Sequence, residues 1–181
     1  MWFNKRMDNF RSWRSRHFAV VGRFFVKLYI SANLLTTLAL LSGFVCVYFL
    51  FANYWLFVLF GVLHLFFDSM DGVVARLTTP SRFGHFYDIC CDRLIELLLL
   101  IKIGYVSADY FAYLVVGITF LAQVFYFLSR EKAPILFTRT LVFLMLVVPF
   151  SLAPVFAYLC SGVAGVYTLA RQLQWIVMRN R

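Results

Sequence analysis

The sequence has little charge, and few residues break its hydrophobic runs. Of its 181 residues, 14% are charged and 63% are hydrophobic, and only four are prolines. In a typical soluble domain about a quarter of the residues are charged. This scarcity of charge excludes an ordinary soluble domain. Apolar runs of about 20 residues recur along the chain, long enough to cross a bilayer as helices.

The apolar runs predict an all-α fold, an integral membrane bundle of six transmembrane helices. We place the spans at about 31–51, 54–76, 83–105, 109–129, 135–152 and 154–177. Lys and Arg cluster before the first span, between the second and third, after the fourth and at the C-terminus. By the positive-inside rule, both termini face the cytoplasm, which requires an even number of crossings.

The N-terminal residues differ in composition from the rest of the chain. We predict a basic amphipathic juxtamembrane segment at 1–30, followed by a six-helix domain at 31–181. Trp and Phe mixed with Lys and Arg are typical of a helix lying in the membrane interface, although a simple topology signal is the alternative. No basic stripe stands free of the spans, so the net charge of +9 indicates anionic lipids rather than nucleic acid.

Several common motifs are missing. The sequence has no P-loop, no glycine-rich dinucleotide turn and no zinc spacing among its four cysteines. Adjacent thiols such as Cys90 and Cys91 make neither a good disulfide nor a zinc site. The cysteines are therefore interpreted as reduced packing residues.

Acidic residues are few, and most of them lie in one stretch. Of the eight, five fall in a short window: Asp68, Asp71, Asp88, Asp92 and Glu96. A charged side chain within a bilayer costs about 2.5 kcal/mol or more, so such a cluster indicates a functional site. The alternative is a set of interfacial salt bridges to Arg76, Arg82 and Arg93.

The spacing of the aspartates favours a metal site. Asp68 and Asp71 are three residues apart and Asp88 and Asp92 four apart, so each pair projects from one face of its own helix. An antiparallel helix pair joined near Pro80 brings all four carboxylates to one cytoplasmic cleft. Divalent cations would convert their repulsion into ligation, and hard oxygen ligands favour Mg²⁺, Mn²⁺ or Ca²⁺ over zinc.

Small residues and a cation accompany the aspartates. Gly72 and Gly84 let a ligand approach the backbone closely, although glycines that pack helices together are the alternative. Arg76 lies on nearly the same helix face as the acids, where a fixed cation beside bound metals suits a phosphate.

These residues match the signature D-x2-D-G-x2-A-R-x7-G-x3-D-x3-D at Asp68, Asp71, Gly72, Ala75, Arg76, Gly84, Asp88 and Asp92. The chain thereby resembles the CDP-alcohol phosphotransferases. The resemblance implies a six-helix membrane enzyme, usually a homodimer, that transfers a phosphatidyl-type group from a CDP-linked lipid to a hydroxyl and releases CMP. A phospho-base from a CDP-linked base is transferred by other members.

The resemblance also implies roles for individual residues. Asp68, Asp71, Asp88 and Asp92 are implied to bind Mg²⁺ or Mn²⁺, two ions per site, and Asp92 to act as the base for the incoming hydroxyl. The implied donor site comprises Gly72, Arg76, Ser81, Gly84 and the segment ANLLT, which is Ala32, Asn33, Leu34, Leu35 and Thr36. Ala32 replaces the proline of the family pattern.

The acceptor is less well specified. SRFGHFYDICCDR and YTLARQLQWIVMR resemble segments of phosphatidylinositol-phosphate synthases, which implies a phosphorylated polyol such as inositol phosphate, bound by Arg130, Lys132 and Arg139. The loop before Arg139 is shorter than in those enzymes, and the same cations serve equally as topology signals. Glycerol phosphate, serine and other alcohols stay open.

Two other function classes compete with the transferase. A cation channel or transporter would use the aspartates to line a pathway, but it predicts acids spread through the membrane depth. A catalytically inactive scaffold would keep the fold for interaction alone. The intact spacing of every carboxylate favours an enzyme over a scaffold. The distribution of Lys and Arg predicts that this enzyme lies in the cell membrane with its active site facing the cytoplasm.

Overall fold

The computed structural model describes residues 18–79, 81–129, 132–149 and 151–179. These residues form seven α-helices and no strand, which confirms the all-α prediction for the described part. The first helix, α1, covers residues 18–27. The others are α2 (Ala32–Phe49), α3 (Tyr54–Leu77), α4 (Arg82–Ser107), α5 (Tyr110–Leu128), α6 (Arg139–Val147) and α7 (Ala153–Arg179).

Within the described residues, four of these helices, α2, α3, α5 and α7, are long and apolar enough to cross a bilayer. The prediction of six membrane spans is not supported. Although α4 has 26 residues, it carries charged side chains at intervals from Arg82 to Lys102. The nine residues of α6 are about 13 Å long, against a hydrocarbon core of about 30 Å. The predicted span at 135–152 begins in chain that is not helical, at 135–138, a difference that apolar composition does not reveal.

The predicted interfacial helix is also not supported. Residues 1–17 of that segment lie outside the described residues. In the described remainder, Phe18, Val21, Phe25 and Val26 pack against a buried cluster of the protein. Their apolar face is therefore used for packing.

Polar residues placed just before the helices fix where they begin. A side-chain oxygen of the preceding residue accepts a backbone N–H of the first turn at 2.9–3.2 Å in α2, α3, α4 and α5. These caps are Ser31, Asn53, Ser81 and Asp109. Each satisfies a donor that the helix itself leaves without a partner.

Two compact units make up the chain. Among the described residues the first comprises 18–43 and 60–91, and the second comprises 44–59 and 92–179. The core of the first unit is a buried cluster of Leu35 from α2 with Met70, Val73 and Val74 from α3. This cluster lies next to the acidic residues of α3 in the sequence and fixes the turn of the helix that carries them.

In the second unit, α7 packs against α5 and α6. Glycines on α7 allow the close approach to α5, because a Cβ at Gly165 would lie 2.9 Å from a methyl carbon of Ile118. Lys102, near the end of α4, donates to the carbonyls of Val47 and Tyr48 at 2.7 and 2.5 Å. A cation thereby satisfies carbonyls in the last turn of α2.

Candidate active site

Aspartates from α3 and α4 come together in the first unit. Carboxylate oxygens of Asp68 on α3 and Asp88 on α4 lie within 4.8 Å of each other. Asp92 follows one turn after Asp88 on α4, at the start of the second unit's part of that helix. All three side chains are partly exposed. Carboxylate oxygens grouped in this way are chemically suited to Mg²⁺ or Mn²⁺.

Asp71 faces a different neighbour. Its carboxylate is buried and accepts a hydrogen bond of 2.8 Å from the hydroxyl of Thr36 on α2. It is still close enough to Asp68 and Asp88 for the charges of both to act on it. Thr36, which the resemblance placed in the donor site, therefore orients one of the predicted metal ligands.

The predicted donor residues at the starts of α2 and α4 lie side by side. A Cβ on Gly84 would lie 2.7 Å from Oδ1 of Asn33 and 2.9 Å from Oγ of Ser81. The same Ser81 oxygen accepts the backbone N–H of Gly84 at 2.9 Å. A larger residue here would have to displace one or both of these polar side chains.

The remaining donor residues differ in exposure. Leu35 is completely buried in the core cluster, whereas Leu34 is exposed, so only Leu34 offers its side chain to a ligand. The carbonyl of Ala32 accepts the Thr36 hydroxyl at 3.1 Å. On α3, Gly72 is partly buried and Arg76 is exposed in the last turn.

Sequence reasoning missed Tyr87. Its hydroxyl and that of Thr37 on α2 are 3.1 Å apart, and its ring stacks on that of Phe83 at 6.0 Å between ring centroids. Tyr87 thus fixes the first turns of α4 against α2, between Gly84 and Asp88 of the signature. A tyrosine one residue before Asp88 was the available signal, but the polar contact needed the tertiary fold.

The predicted acceptor residues are not equivalent. Arg130 lies outside the described residues. Lys132 is exposed in the non-helical chain before α6. Arg139, the first residue of α6, is only 6% exposed and forms an ion pair with Asp92, the predicted base. Of the two described cations, Lys132 is the accessible one.

A buried ion pair lies next to Asp92 on α4. Arg93 and Glu96 pair at 2.5 Å, and the hydroxyl of Thr138 donates to the other Glu96 oxygen. For Glu96, this is the salt bridge that the alternative interpretation of the acidic stretch anticipated. Its four-residue spacing from Asp92 was the signal for a shared helix face.

Comparison with known proteins gives one match. The model of the CDP-alcohol phosphatidyltransferase family matches residues 29–178. No curated protein and no solved structure matches the chain.

Proposed function

Because the chain belongs to the CDP-alcohol phosphatidyltransferase family, we propose that it is a metal-dependent enzyme of phospholipid synthesis. The family transfers a phosphatidyl group from a CDP-alcohol to an acceptor. In the proposed reaction, a hydroxyl oxygen of the acceptor bonds to the lipid-bearing phosphorus of a CDP-linked lipid. The bond from that phosphorus to the bridging oxygen breaks, and CMP leaves.

The convergence of Asp68 and Asp88 carries the proposal. At 4.8 Å, two ionised carboxylates repel by about 3 kcal/mol if the effective dielectric constant is about 20. Hard carboxylate oxygens suit Mg²⁺ or Mn²⁺, and in the proposal Asp68, Asp71, Asp88 and Asp92 hold two such ions. Bound there, the ions would neutralise charge on the pyrophosphate and on the departing CMP.

The residues of the first unit would bind and orient the donor. The starts of α2 and α4 present Asn33, Ser81 and the backbone at Gly84 within contact of one another. Arg76 is exposed one turn after Gly72 and supplies a cation for a phosphate. Together with segment 32–36, these groups form the proposed donor site.

Asp92 would take the proton of the acceptor hydroxyl. The reference pKa of an aspartate, about 3.9, is too low to deprotonate an alcohol in advance, so the proton moves as the new bond forms. A carboxylate has two oxygens with about four lone-pair sites, so the ion pair with Arg139 leaves capacity for the proton.

The proposed acceptor is a phosphorylated polyol. Lys132 is exposed before α6 and would meet the acceptor phosphate as a point charge, with Arg130 as a second cation. Serine, or a glycerol phosphate, would share the hydroxyl chemistry but would place different demands on these cations.

The proposed membrane arrangement has six crossings, with α4 and the 135–152 stretch added to the four apolar helices. At 26 residues, α4 is about 39 Å long and exceeds the hydrocarbon core. Within residues 135–152, the polar side chains of Thr138 and Arg139 are buried and have hydrogen-bond partners on α4. In this proposal the segment 1–30, both termini and the site face the cytoplasm, and the enzyme is a homodimer.

Release of CMP tests the proposal. The purified protein is incubated with Mg²⁺ or Mn²⁺, a CDP-linked lipid and a panel of acceptors that includes inositol phosphate, glycerol phosphate and serine. We expect CMP release with at least one acceptor, no release after chelation, and strong suppression by Asp92→Asn without unfolding.

Asp109→Asn is the matched control, because Asn caps a helix about as well as Asp and Asp109 lies outside the proposed site. It should retain wild-type turnover. Wild-type turnover in Asp92→Asn would refute the assigned base, and turnover that survives chelation would refute the metal requirement.

A further inference from the structure

Three consecutive side chains before and at the start of α6 contact charged groups of α4. The Phe137 ring lies 4.3 Å from the guanidinium carbon of Arg93, measured from the ring centroid. The Thr138 hydroxyl donates to Glu96, and the Arg139 guanidinium donates to Asp92. Residues 137–139, which we call the α6 anchor, thus attach at three points within the second unit.

At the start of α6, the N-cap residue contacts α4 instead of capping the helix. Thr138 occupies the N-cap position, where a threonine hydroxyl ordinarily accepts a backbone N–H of the first turn. Here it makes no side-chain cap hydrogen bond, and its hydroxyl donates to Glu96 instead. Losing a cap costs about 0.5–2 kcal/mol, so the Glu96 contact takes precedence over local helix stability.

The charged side chains that contact the α6 anchor, and Arg139 within it, are buried, so each of them needs a partner. Glu96 is 1% exposed, and Arg93 and Arg139 are 6% exposed each. A buried charge that loses its partner is strongly destabilising, because the remaining charge cannot regain its water. The Arg93–Glu96 pair consequently gives Thr138 a fixed acceptor, and Arg139 follows Thr138 directly in the chain.

We infer that Arg139 is a positioning residue that holds the carboxylate of Asp92, and that the hydrogen bond of Thr138 to Glu96 holds Arg139 in place. The inference rests on the proposed function only in taking Asp92 as the base. With its Oδ1 held by Arg139, Asp92 keeps a fixed orientation and presents its other oxygen to the reacting hydroxyl.

This role differs from that of an acceptor ligand, and the two have different kinetics. A cation that binds the acceptor phosphate in both ground and transition states changes the acceptor KM and leaves kcat nearly unchanged. A residue that orients the base changes kcat and leaves the acceptor KM nearly unchanged. Lys132→Gln, which removes the exposed cation of the same loop, is the comparison: it should change the acceptor KM and leave kcat nearly unchanged.

The first test is substitution of Arg139. We expect Arg139→Gln to lower kcat about 10- to 100-fold, as loss of a supporting hydrogen bond to a site carboxylate does. Arg139→Lys keeps the charge but loses the planar fork, so it should recover only part of the rate. A raised acceptor KM with wild-type kcat in Arg139→Gln would overturn the inference.

The second test does not touch the ion pair itself. Thr138→Val removes the hydroxyl with little change of volume and should lower kcat with unchanged acceptor KM, whereas Thr138→Ser keeps the hydroxyl and should restore the rate. Thr140→Val makes the same exchange at an exposed position two residues later and should behave as wild type. Equal kcat values for Thr138→Val and Thr138→Ser would contradict the role of the anchor.

A double-mutant cycle measures the interaction between Asp92 and Arg139 without an activity assay. Unfolding temperatures are measured in metal-free detergent for the wild type, Asp92→Asn, Arg139→Gln and the double variant. Paired residues should give a loss in the double variant that is clearly smaller than the sum of the single losses. Additive losses would overturn the inference.

The outcomes separate this inference from the proposed function. If the wild type releases no CMP with any acceptor, the proposed function fails while the unfolding cycle still decides whether Arg139 holds Asp92. If the wild type is active and Arg139→Gln alters only the acceptor KM, the function stands and the positioning role fails. Should Arg139→Gln not fold, Arg139→Lys and Thr138→Val carry the test.

Discussion

Replacing Gly84 by alanine perturbs the point where the starts of α2 and α4 meet. The added methyl group would lie 2.7 Å from Oδ1 of Asn33 and 2.9 Å from Oγ of Ser81, and real Cβ atoms essentially never approach so closely. Both neighbours are ends of side chains and can rotate away. The backbone therefore stays in place, and the two polar groups move.

Three contributions set the magnitude. Alanine in a helix gains up to about 1 kcal/mol over glycine. Displacing Ser81 weakens the cap on α4, which costs about 0.5–2 kcal/mol, and overpacking costs about 1–3 kcal/mol. The sum is a net loss of about 0.5–4 kcal/mol in the free energy of unfolding. The KM for the CDP-linked donor should rise as well, because Asn33 and Ser81 belong to the proposed donor site.

The assay is thermal unfolding of the purified protein in detergent, with donor KM measured in parallel. Gly117→Ala is the matched control, since a Cβ at Gly117 in the middle of α5 has no atom within 4 Å. It should raise the unfolding temperature slightly, because the helix gains alanine without a clash. If Gly84→Ala stabilises the protein as much as Gly117→Ala does, the described contact of α2 with α4 is wrong.

Two further predictions concern single hydrogen bonds. Thr36→Val removes the hydroxyl that donates to the buried Asp71 carboxylate, so we expect the apparent Mg²⁺ affinity, measured from the Mg²⁺ dependence of CMP release, to fall about 10- to 100-fold. Thr36→Ser keeps the hydroxyl and should keep the wild-type affinity. Equal Mg²⁺ dependence in the two variants would contradict this role. A hydrogen bond from the Tyr158 hydroxyl, and to a smaller extent one from the Phe111 backbone N–H, lowers the pKa of Asp109 below its ordinary value. The ionised Asp109 therefore stabilises the fold above about pH 4, and this contribution is lost as the pH falls through the lowered pKa. The unfolding temperature of Tyr158→Phe should therefore differ from that of the wild type mainly above pH 4, and a difference independent of pH would rule this out.

How much of the site the sequence reveals depends on whether residues are neighbours on one helix. The spacing of Asp88 and Asp92 is enough to place them on one helix face, because the helical period fixes it. The bond between Thr36 and Asp71 joins residues 35 positions apart, and no spacing rule connects them. For the same reason, the ion pair of Arg139 with Asp92 could not be predicted from the sequence.

The fold shows the same division. Helix starts were readable within a few residues, because a cap and the apolar run after it are local signals, as at Asn53 and Asp109. The number of membrane spans was not readable in this way. Apolar residues continue through 133–137, but the chain at 132–138 is non-helical. Its last two residues, Phe137 and Thr138, contact Arg93 and Glu96 of α4.

Helix α4 divides the proposed chemistry along its length. In the proposal, Ser81 just before the helix and Gly84 in its first turn belong to the donor site. Family membership over 29–178 favours a transferase over a cation pathway for the acids that follow. One turn after Asp88, α4 contacts the α6 anchor, in which Arg139 donates a hydrogen bond to Asp92. Substitutions at Gly84 should therefore act on donor KM, whereas substitutions at Arg139 should act on kcat, because in the proposal Gly84 lies in the donor site and Arg139 holds the base.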